Sequence, residues 1–267
     1  MSNLSIISWN VNGLQGILKK DENGQKVGKR VSNALSLLLD KEDPTIICLQ
    51  EIKCSDKFSH SPYFPRHPYR YVNHCTCKKA YAGTLVASKI KPLHVWNNFN
   101  YLGENIVDSG LTSEGRLITL EFDTFFLINV YSPNSGVYGM KRLQWRIDVW
   151  ERMMRKYICA LGRTEKEIIL IGDLNVIHTN LDSSYANPNV AGASVSERGA
   201  FSQLLDLGLG DSYRLLHPTQ KEYTWTWEHG RKGYRLDYAL VTAGIDVTSS
   251  EILTYHGSDH FPIRLDI

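Results

Sequence analysis

The stretch IILIGDLN, from Ile168 to Asn175, decides the fold. Its four leading residues are apolar and mostly β-branched, a pattern that predicts a short buried strand. The strand then ends in Gly172, Asp173 and Asn175, which add a carboxylate and an amide that the apolar run does not need. Further strands of this kind, separated by helical segments, would give a layered α/β protein.

Six other apolar runs predict strands at Leu4–Trp9, Thr45–Gln50, Thr84–Ser88, Leu117–Phe122, Phe125–Tyr131 and Leu236–Val241. Lys141–Leu161 has apolar residues three or four apart and predicts an amphipathic helix. Arg30–Leu39 and Glu197–Leu207 follow the same period, with Ser196 as the expected N-cap of the latter. Strands dominate and helices intervene, so we expect an α/β sandwich, with Asn180–Ser196 as a functional loop.

The bulk properties suit one domain that covers residues 1–267. Of the 267 residues 42% are hydrophobic, enough for a sizeable core. No stretch approaches the roughly 20 consecutive apolar residues of a membrane span, and the N-terminus has no signal-peptide pattern. Five cysteines, an odd and scattered number, favour a reducing compartment. We expect an intracellular protein, nuclear or cytoplasmic, and a monomer by default.

Polar side chains stand where buried strands end, and together they predict an active site. Each alone is an ordinary turn former, strand end or helix cap. Together they supply carboxylates, amides and one histidine: Glu51, Asp173, Asp237 and Asp259, with Asn10, Asn12, Asn175 and His260. Oxygen-rich pockets suit a hard divalent cation, which screens phosphate charge and acts as a Lewis acid. The residues therefore favour metal-dependent phosphodiester hydrolysis.

Ordered blocks along nearly the whole chain resemble the endonuclease/exonuclease/phosphatase superfamily, and more narrowly its exonuclease III-type abasic-site endonucleases. The blocks are Ser8–Leu14, Leu49–Lys53, Ser113–Arg116, Tyr131–Gly136, Gly172–His178, Glu197–Leu207, Asp211–Arg214, Tyr223-Thr224, Tyr234–Tyr238 and Gly257–Ile263. The resemblance implies a four-layer αββα sandwich of two mixed or mostly antiparallel sheets flanked by helices. The site would lie where loops from the two sheets meet.

The same resemblance implies a role for each polar residue. The metal ligands would be Asn12, Glu51 and Asp259, with Mg²⁺ as the cofactor and Mn²⁺ as a substitute. The catalytic group would be Asn10, Tyr131, Asp173, Asn175, Asp237 and His260. Within it, Asp173 would activate the attacking water and Asn175 would orient it. His260, paired with Asp237, would contact the scissile phosphate, and the choice between Asp173 and His260 as proton acceptor stays open.

The substrate residues follow from the resemblance as well. The pocket that receives a flipped-out abasic sugar in relatives corresponds to Trp225, Tyr234 and Leu236, whereas Trp227 is expected to pack in the core. Relatives contact the DNA backbone at positions that here hold Tyr81, Arg116, Asn134 and Asn189. Val137 stands where some relatives carry an arginine that enters the DNA. The net charge is only +2, which still allows a local basic face to contact phosphates.

The implied function is incision of duplex DNA 5′ to abasic sites in base excision repair, which leaves a 3′-hydroxyl. Exonuclease action in the 3′–5′ direction, or 3′-end trimming, would be a secondary activity. The main alternative is a retrotransposon-type endonuclease that nicks intact DNA, which Tyr213–Thr224 also resembles. A phosphatase and a catalytically inactive DNA-binding module are the remaining alternatives. No sequence feature indicates a protein partner or a membrane.

Overall fold

The computed structural model describes residues 4–19, 33–136, 138–185, 187–227 and 232–267. Within these ranges the chain forms two six-stranded sheets and a short hairpin. The first sheet contains β1 (Ser5–Asn10), β2 (Ile46–Gln50), β3 (Tyr69–Asn73), β4 (Thr84–Ser88), β13 (Ser249–Ile252) and β14 (Ile263–Asp266). Its strand order is β13-β14-β1-β2-β4-β3, in which β1 and β2 are parallel and the other pairs antiparallel.

The second sheet contains β5 (His94–Asn97), β6 (Leu117–Glu121), β7 (Phe125–Tyr131), β8 (Glu167–Asp173), β9 (Leu209–Asp211) and β12 (Asp237–Thr242). Its strand order is β5-β6-β7-β8-β12-β9, in which β7 and β8 are parallel and the other pairs antiparallel. The hairpin pairs β10 (Trp225–Trp227) with β11 (Lys232–Tyr234).

Alternate residues of the buried strands face opposite sides, and this stacks the molecule in four layers. Ile6 of β1 and Ile171 of β8 lie in the apolar cluster between the two sheets. Ile7, the next residue of β1, packs outward against helical residues such as Leu35. Leu170 of β8 packs outward against helices on the other side of the molecule. The layers are therefore helix, sheet, sheet and helix.

The helices that cover the sheets are α1 (Leu14–Ile17), α2 (Ala34–Glu42), α3 (Ser109–Thr112), α4 (Leu143–Trp145), α5 (Arg152–Leu161), α6 (Val195–Leu205) and α7 (Ser212–Leu216). A π-helical segment, Arg146–Glu151, joins α4 to α5. Short 3-10 turns occur at Ser61–Tyr63, Asn100–Leu102 and Asn180–Asp182. No helix in the described part of the chain is long and apolar enough to cross a bilayer.

The predicted four-layer α/β sandwich is confirmed, and all seven predicted strands are present within one residue at either end. The helix predicted at Arg30–Leu39 corresponds to α2, although residues 30–32 lie outside the described ranges. Ser196 is wrong as the N-cap of α6. Ser194 caps the helix instead, because its side chain accepts from Glu197 N–H while the Glu197 carboxylate accepts from Ser194 N–H. The single-domain organisation stays a prediction.

Candidate active site

Three neighbouring strands of the second sheet present polar residues at one level. Tyr131 lies beside Asp173 in the parallel pair β7–β8, and Asp173 lies beside Asp237 in the antiparallel pair β8–β12. Gly172 has a φ of 144°, and a Cβ there would lie 2.0 Å from the Val130 carbonyl oxygen. Only glycine lets β8 approach β7 this closely. Residues paired directly across strands share a face, so the three side chains form a row.

The first sheet contributes a second row from the ends of β1 and β2. Asn10 pairs with Gln50 at the last position of these parallel strands, and Glu51 follows in a left-handed conformation with a φ of 51°. The Asn10 Nδ2 donates to Asp173 Oδ2 at 2.8 Å and to Glu51 Oε1 at 3.2 Å. Asn10 is fully buried. Its side-chain amide therefore links the two rows of polar residues by hydrogen bonds that are shielded from water.

Asp173 is anchored through both carboxylate oxygens. The backbone N–H of Asn175 donates to Oδ1 at 2.8 Å, and Asn175 Nδ2 donates to Oδ2 at 3.1 Å. Asn175 has a φ of 51°, and this turn brings both donors back to Asp173. Burial, and then the neighbouring Asp237 carboxylate, raise the pKa of Asp173 to about 7. A fixed carboxylate with a pKa near neutrality is suited to accept a proton.

His260 lies between two carboxylates. Its Nδ1 is hydrogen-bonded to Asp237 Oδ2 at 2.8 Å, and its Nε2 lies 4.0 Å from Asp173 Oδ2. Burial alone would lower the pKa of His260, but the carboxylates of Asp237 and Asp173 raise it to about 10. The ring is therefore an imidazolium at neutral pH, with both nitrogens acting as donors.

Side-chain oxygen atoms surround the ammonium group of Lys53 at the mouth of the site. Lys53 Nζ lies 2.6 Å from Glu51 Oε2 and 2.5 Å from Asn12 Oδ1. Asn12 Nδ2 donates to Asp259 Oδ1 at 3.0 Å, and Tyr131 O–H donates to Glu51 Oε1 at 2.5 Å. Burial would raise the pKa of Glu51, but hydrogen bonds from Lys53 and Tyr131 lower it. Ionised carboxylate and amide oxygens that already hold an ammonium group fit a hard divalent ion.

A second set of potential ligands lies deeper, where ligand atoms of Asp173, Asp237 and His260 are within 4.8 Å of one another. A histidine must be deprotonated to bind a metal, whereas His260 is held as an imidazolium. Both oxygens of Asp173 already accept hydrogen bonds. Among the described residues, the group around Glu51 is therefore the better fit for a metal.

A cavity with aromatic walls opens beside the acidic groups. Its volume is about 440 Å³, and its lining includes Val190, Trp225, Trp227, Tyr234 and Leu236 together with Glu51, Tyr131, Asp173, Asp259 and His260. The ring centres of Trp225 and Trp227 are 4.9 Å apart, and those of Trp227 and Tyr234 are 5.1 Å apart. Trp227, expected in the core, is half-buried and lines this cavity.

Comparison with known proteins bears on this arrangement. The model of the endonuclease/exonuclease/phosphatase family matches residues 7–260. The chain belongs to this family. It is 37% identical over 277 residues to DNA repair nuclease APEX1 of Danio rerio, covering 99% of this chain and 82% of that protein. It is also 37% identical over 278 residues to an exodeoxyribonuclease of Bacillus subtilis (strain 168), covering 99% of each chain.

This chain has the same fold as a solved structure of the AP endonuclease of Leishmania major. The TM-score is 0.82 at 27% sequence identity, and the match covers 99% of this chain and 87% of that chain. The predicted membership of the superfamily is thus confirmed, as is the sandwich architecture.

The residues matched to DNA contacts in the family differ in exposure. Arg116 is only 2% exposed. It donates from Nη2 to Tyr81 Oη at 2.8 Å and from Nη1 to the Tyr131 carbonyl at 3.1 Å. Tyr81 and Asn134 are half-buried and Asn189 is exposed. Arg116 therefore supports two tyrosines from inside, whereas the other residues have access to solvent. Position 137, with its valine, lies outside the described residues.

A buried arginine that the sequence analysis did not single out holds the loops beneath the site. Arg146 donates to the carbonyls of Leu174 at 2.7 Å and Asn175 at 2.8 Å. It also donates to the carboxylates of Glu197 at 3.1 Å and Glu151 at 3.2 Å. Glu151 follows Arg146 by five residues, a spacing that shares a face in a π-helix, and these six residues are π-helical. The sequence shows the α-helical spacing of apolar residues in this region, and that spacing does not reveal a π-helical segment.

Proposed function

We propose that this protein is a divalent-metal-dependent endonuclease that incises duplex DNA 5′ to abasic sites and leaves a 3′-hydroxyl, with 3′-end trimming as a secondary activity. One observation carries the proposal: a single cavity joins an acidic centre with an imidazolium to a wall of aromatic rings. The centre suits phosphodiester hydrolysis, and the wall suits a flipped-out sugar that has lost its base. The names of the relatives from Danio rerio, Bacillus subtilis and Leishmania major support a DNA substrate.

Asp173 is the proton acceptor in this proposal. His260 carries a proton on each ring nitrogen and has no free lone pair to offer, whereas Asp173, with its pKa of about 7, is ionised in neutral to alkaline solution. Asn175 and Asn10 fix the carboxylate through hydrogen bonds. The attacking water passes its proton to Asp173, its oxygen bonds to phosphorus, and the bond from phosphorus to the 3′-oxygen breaks. The departing 3′-oxygen takes a proton from solvent water and becomes the 3′-hydroxyl.

His260 and Tyr131 serve the phosphate in the same step. The Nε2–H of His260 lines the cavity 4.0 Å from Asp173 Oδ2, close enough for a phosphate oxygen to lie beside both groups. Asp237 holds the ring through Nδ1 and keeps it charged. The hydroxyl of Tyr131, held beside Glu51 and the Arg116 guanidinium, is a further donor at the cavity wall when its one proton turns from Glu51 to the phosphate. Donors fixed before the reaction stabilise charge that develops on the phosphate.

The charge balance of the site favours a divalent cation. Among the described residues, the cavity lining and the groups bonded to it include the carboxylates of Glu51, Asp173, Asp237 and Asp259 and the cationic groups of Lys53 and His260. The excess of negative charge would repel a phosphodiester. We propose Mg²⁺, replaceable by Mn²⁺, bound by Glu51 with Asn12 and Asp259. When bound, it supplies Lewis acidity and screens the charge of the phosphate.

The aromatic wall selects the substrate. Trp225, Tyr234 and Leu236 receive the baseless sugar, and Trp227 extends the apolar surface that they offer. The exposed or half-buried groups that flank the cavity, Tyr81, Asn134 and Asn189, contact the DNA backbone. Arg116 is a positioning residue for Tyr81, because it is buried and donates to the Tyr81 hydroxyl. All these groups come from one chain, and we propose that the protein acts as a monomer.

The test uses a labelled duplex with one tetrahydrofuran abasic-site analogue beside an undamaged duplex of identical sequence. Each is incubated with the protein in Mg²⁺ and in EDTA. We expect metal-dependent incision confined to the damaged strand. Asp173→Asn should abolish the cut while largely sparing DNA binding, because it removes the proton acceptor but keeps the size of the side chain. Asp123→Asn is the matched control, since Asp123 is exposed in the turn between β6 and β7, at the opposite end of β7 from Tyr131.

Comparable nicking of both duplexes would reject abasic-site specificity and favour the nuclease type that nicks intact DNA. Wild-type rates in Asp173→Asn would reject Asp173 as the proton acceptor. Cleavage of a soluble phosphate ester, with none of either duplex, would reject a DNA substrate altogether.

A further inference from the structure

Trp225 contacts both the aromatic cavity and Asp259, one of the proposed metal ligands. Its ring lines the cavity, with its centre 4.9 Å from that of Trp227 and 6.0 Å from that of Tyr234. Its indole Nε1 donates a hydrogen bond to Asp259 Oδ2 at 3.1 Å. A phenylalanine at this position would keep an apolar ring but would have no donor. One side chain therefore belongs to the sugar pocket and to the metal-ligand group at once.

Backbone contacts hold the main chain of Trp225 beside Asp259. Trp225 forms an antiparallel bridge with His260 on one side and pairs with Tyr234 in the β10–β11 hairpin on the other. The next residue, Thr226, donates its N–H to the Asp259 carbonyl at 3.4 Å. The main chain of Trp225 is thus held by secondary structure, whereas the aim of its indole Nε1 depends on the side-chain torsions and on what packs against the ring.

Asp259 connects Trp225 to the other proposed metal ligands through hydrogen bonds. Its Oδ1 accepts from Asn12 Nδ2 at 3.0 Å, while Asn12 Oδ1 accepts from Lys53 Nζ. The same Lys53 Nζ lies 2.6 Å from Glu51 Oε2. A continuous chain of polar contacts therefore runs from the Trp225 indole to Glu51, through the atoms that a cation would bind.

We propose that Trp225 couples occupancy of the aromatic cavity to the affinity of the site for its divalent cation. The inference rests on the proposed function. A baseless sugar packed on the indole holds Nε1 in line with Asp259, and a cation that fixes Asp259 holds the indole in turn. By linkage, each ligand raises the affinity for the other by the same factor. Abasic DNA, which fills the cavity, would thereby assemble the metal site more completely than intact DNA.

The first measurement is Mn²⁺ binding to the DNA-free protein. The electron paramagnetic resonance signal of the free ion reports how much Mn²⁺ is bound. Trp225→Phe keeps the ring and removes the donor. We expect it to bind Mn²⁺ about tenfold more weakly, as for other groups that orient a metal ligand. Trp227→Phe is the matched control, because it removes an indole from the same wall but leaves the Trp225–Asp259 hydrogen bond in place. It should bind Mn²⁺ as the wild type does.

The second measurement repeats the titration with product-like DNA, so that no catalysis is needed. One nicked duplex carries a baseless sugar analogue at the 5′ end of the nick, and the other carries a normal nucleotide there. In the wild type we expect the baseless sugar to tighten Mn²⁺ binding by about fivefold or more, the usual scale of coupling between sites. In Trp225→Phe the two duplexes should give equal Mn²⁺ affinities. Circular dichroism checks that each variant is folded.

Equal Mn²⁺ affinity in Trp225→Phe and wild type would overturn the proposal, and so would coupling that persists in the variant. Either result would leave the proposed function intact if the abasic duplex were still incised. A wild-type protein that incises neither duplex would instead reject the proposed function. The titration of DNA-free Trp225→Phe would then still decide whether the indole supports the cation site.

Discussion

Replacing Arg146 with methionine should lower the free energy of unfolding by about 3–5 kcal/mol, because it leaves buried carboxylates without their cation. Arg146 is shielded from solvent and from salt, because its side chain is 0% exposed, as is that of Glu197. The guanidinium also satisfies the carbonyls of Leu174 and Asn175. Removing it takes a donor away from four acceptors at once, the two carbonyls and the carboxylates of Glu151 and Glu197. A typical domain has about 5–15 kcal/mol of stability, so the loss would be a large share.

Urea denaturation measured by fluorescence gives this free energy directly. Arg264→Met is the matched control, since Arg264 forms its ion pairs with Glu42 and Asp266 at 26% exposure. Partly exposed pairs contribute about 0–1 kcal/mol, so this control should change little. Arg146→Lys should fall between the two, because it keeps the charge but cannot reach all the acceptors that the planar guanidinium reaches.

A double-mutant cycle isolates the ionic part of the effect. Glu197→Gln keeps the capping box of α6, which accepts either residue, and removes the carboxylate charge beside Arg146. If an uncompensated charge dominates, Arg146→Met combined with Glu197→Gln should be less destabilised than the sum of the two single variants. A loss below about 1 kcal/mol in Arg146→Met, or strict additivity in the double variant, would refute the reasoning.

Asp237→Asn should shift both limbs of the pH–rate profile toward lower pH. The rate rises as Asp173 ionises near a pKa of about 7 and falls as His260 loses its proton near a pKa of about 10. Because the Asp237 charge raises both pKa values, removing that charge lowers both. A profile on the tetrahydrofuran duplex checks this, and limbs moving in opposite directions would contradict it. Tyr131→Phe should lower kcat about 10–100-fold through loss of a charge-assisted hydrogen bond; unchanged single-turnover rates would speak against a role for its hydroxyl. Arg116→Lys should leave the salt dependence of DNA affinity unchanged, because the guanidinium is buried, whereas a slope reduced by about one unit would reveal a direct phosphate contact.

The interior strands could be predicted because burial on both faces leaves a continuous apolar run in the sequence. β4 and β7 occupy the predicted residues. The strands that were not predicted are short or lie at sheet edges, where half of each strand faces solvent. β3 is an edge strand with mostly half-buried residues, and β10 has only three residues. Such segments have no apolar run to detect, and their pairing depends on the sheet that they join.

The polar centre could be predicted in outline, because carboxylates and amides that follow buried strands have no reason to be there for stability. Asp173 and Glu51 were identified in this way, and both line the cavity. The contacts of Trp225 with Asp259 and of Arg146 with Asn175 could not be foreseen. Each joins residues about 30 positions apart in sequence, and their geometry depends on the final packing of loops. A π turn likewise leaves no periodic signal in so short a segment.

The position of the centre follows from where each sheet runs parallel. Among the described strands, β1–β2 and β7–β8 are the parallel pairs, one in each sheet. Parallel neighbours end at the same edge, and ligands in α/β proteins bind outside the carboxyl ends of such strands. Asn10 ends β1 and Asp173 ends β8, so the face-to-face packing of the sheets brings them within 2.8 Å. A slip of β8 by one residue would turn the Asp173 side chain to the opposite face. The close approach at Gly172, which has no room for a Cβ against β7, opposes that slip, so the register that builds the sheet also orients the Asp173 carboxylate.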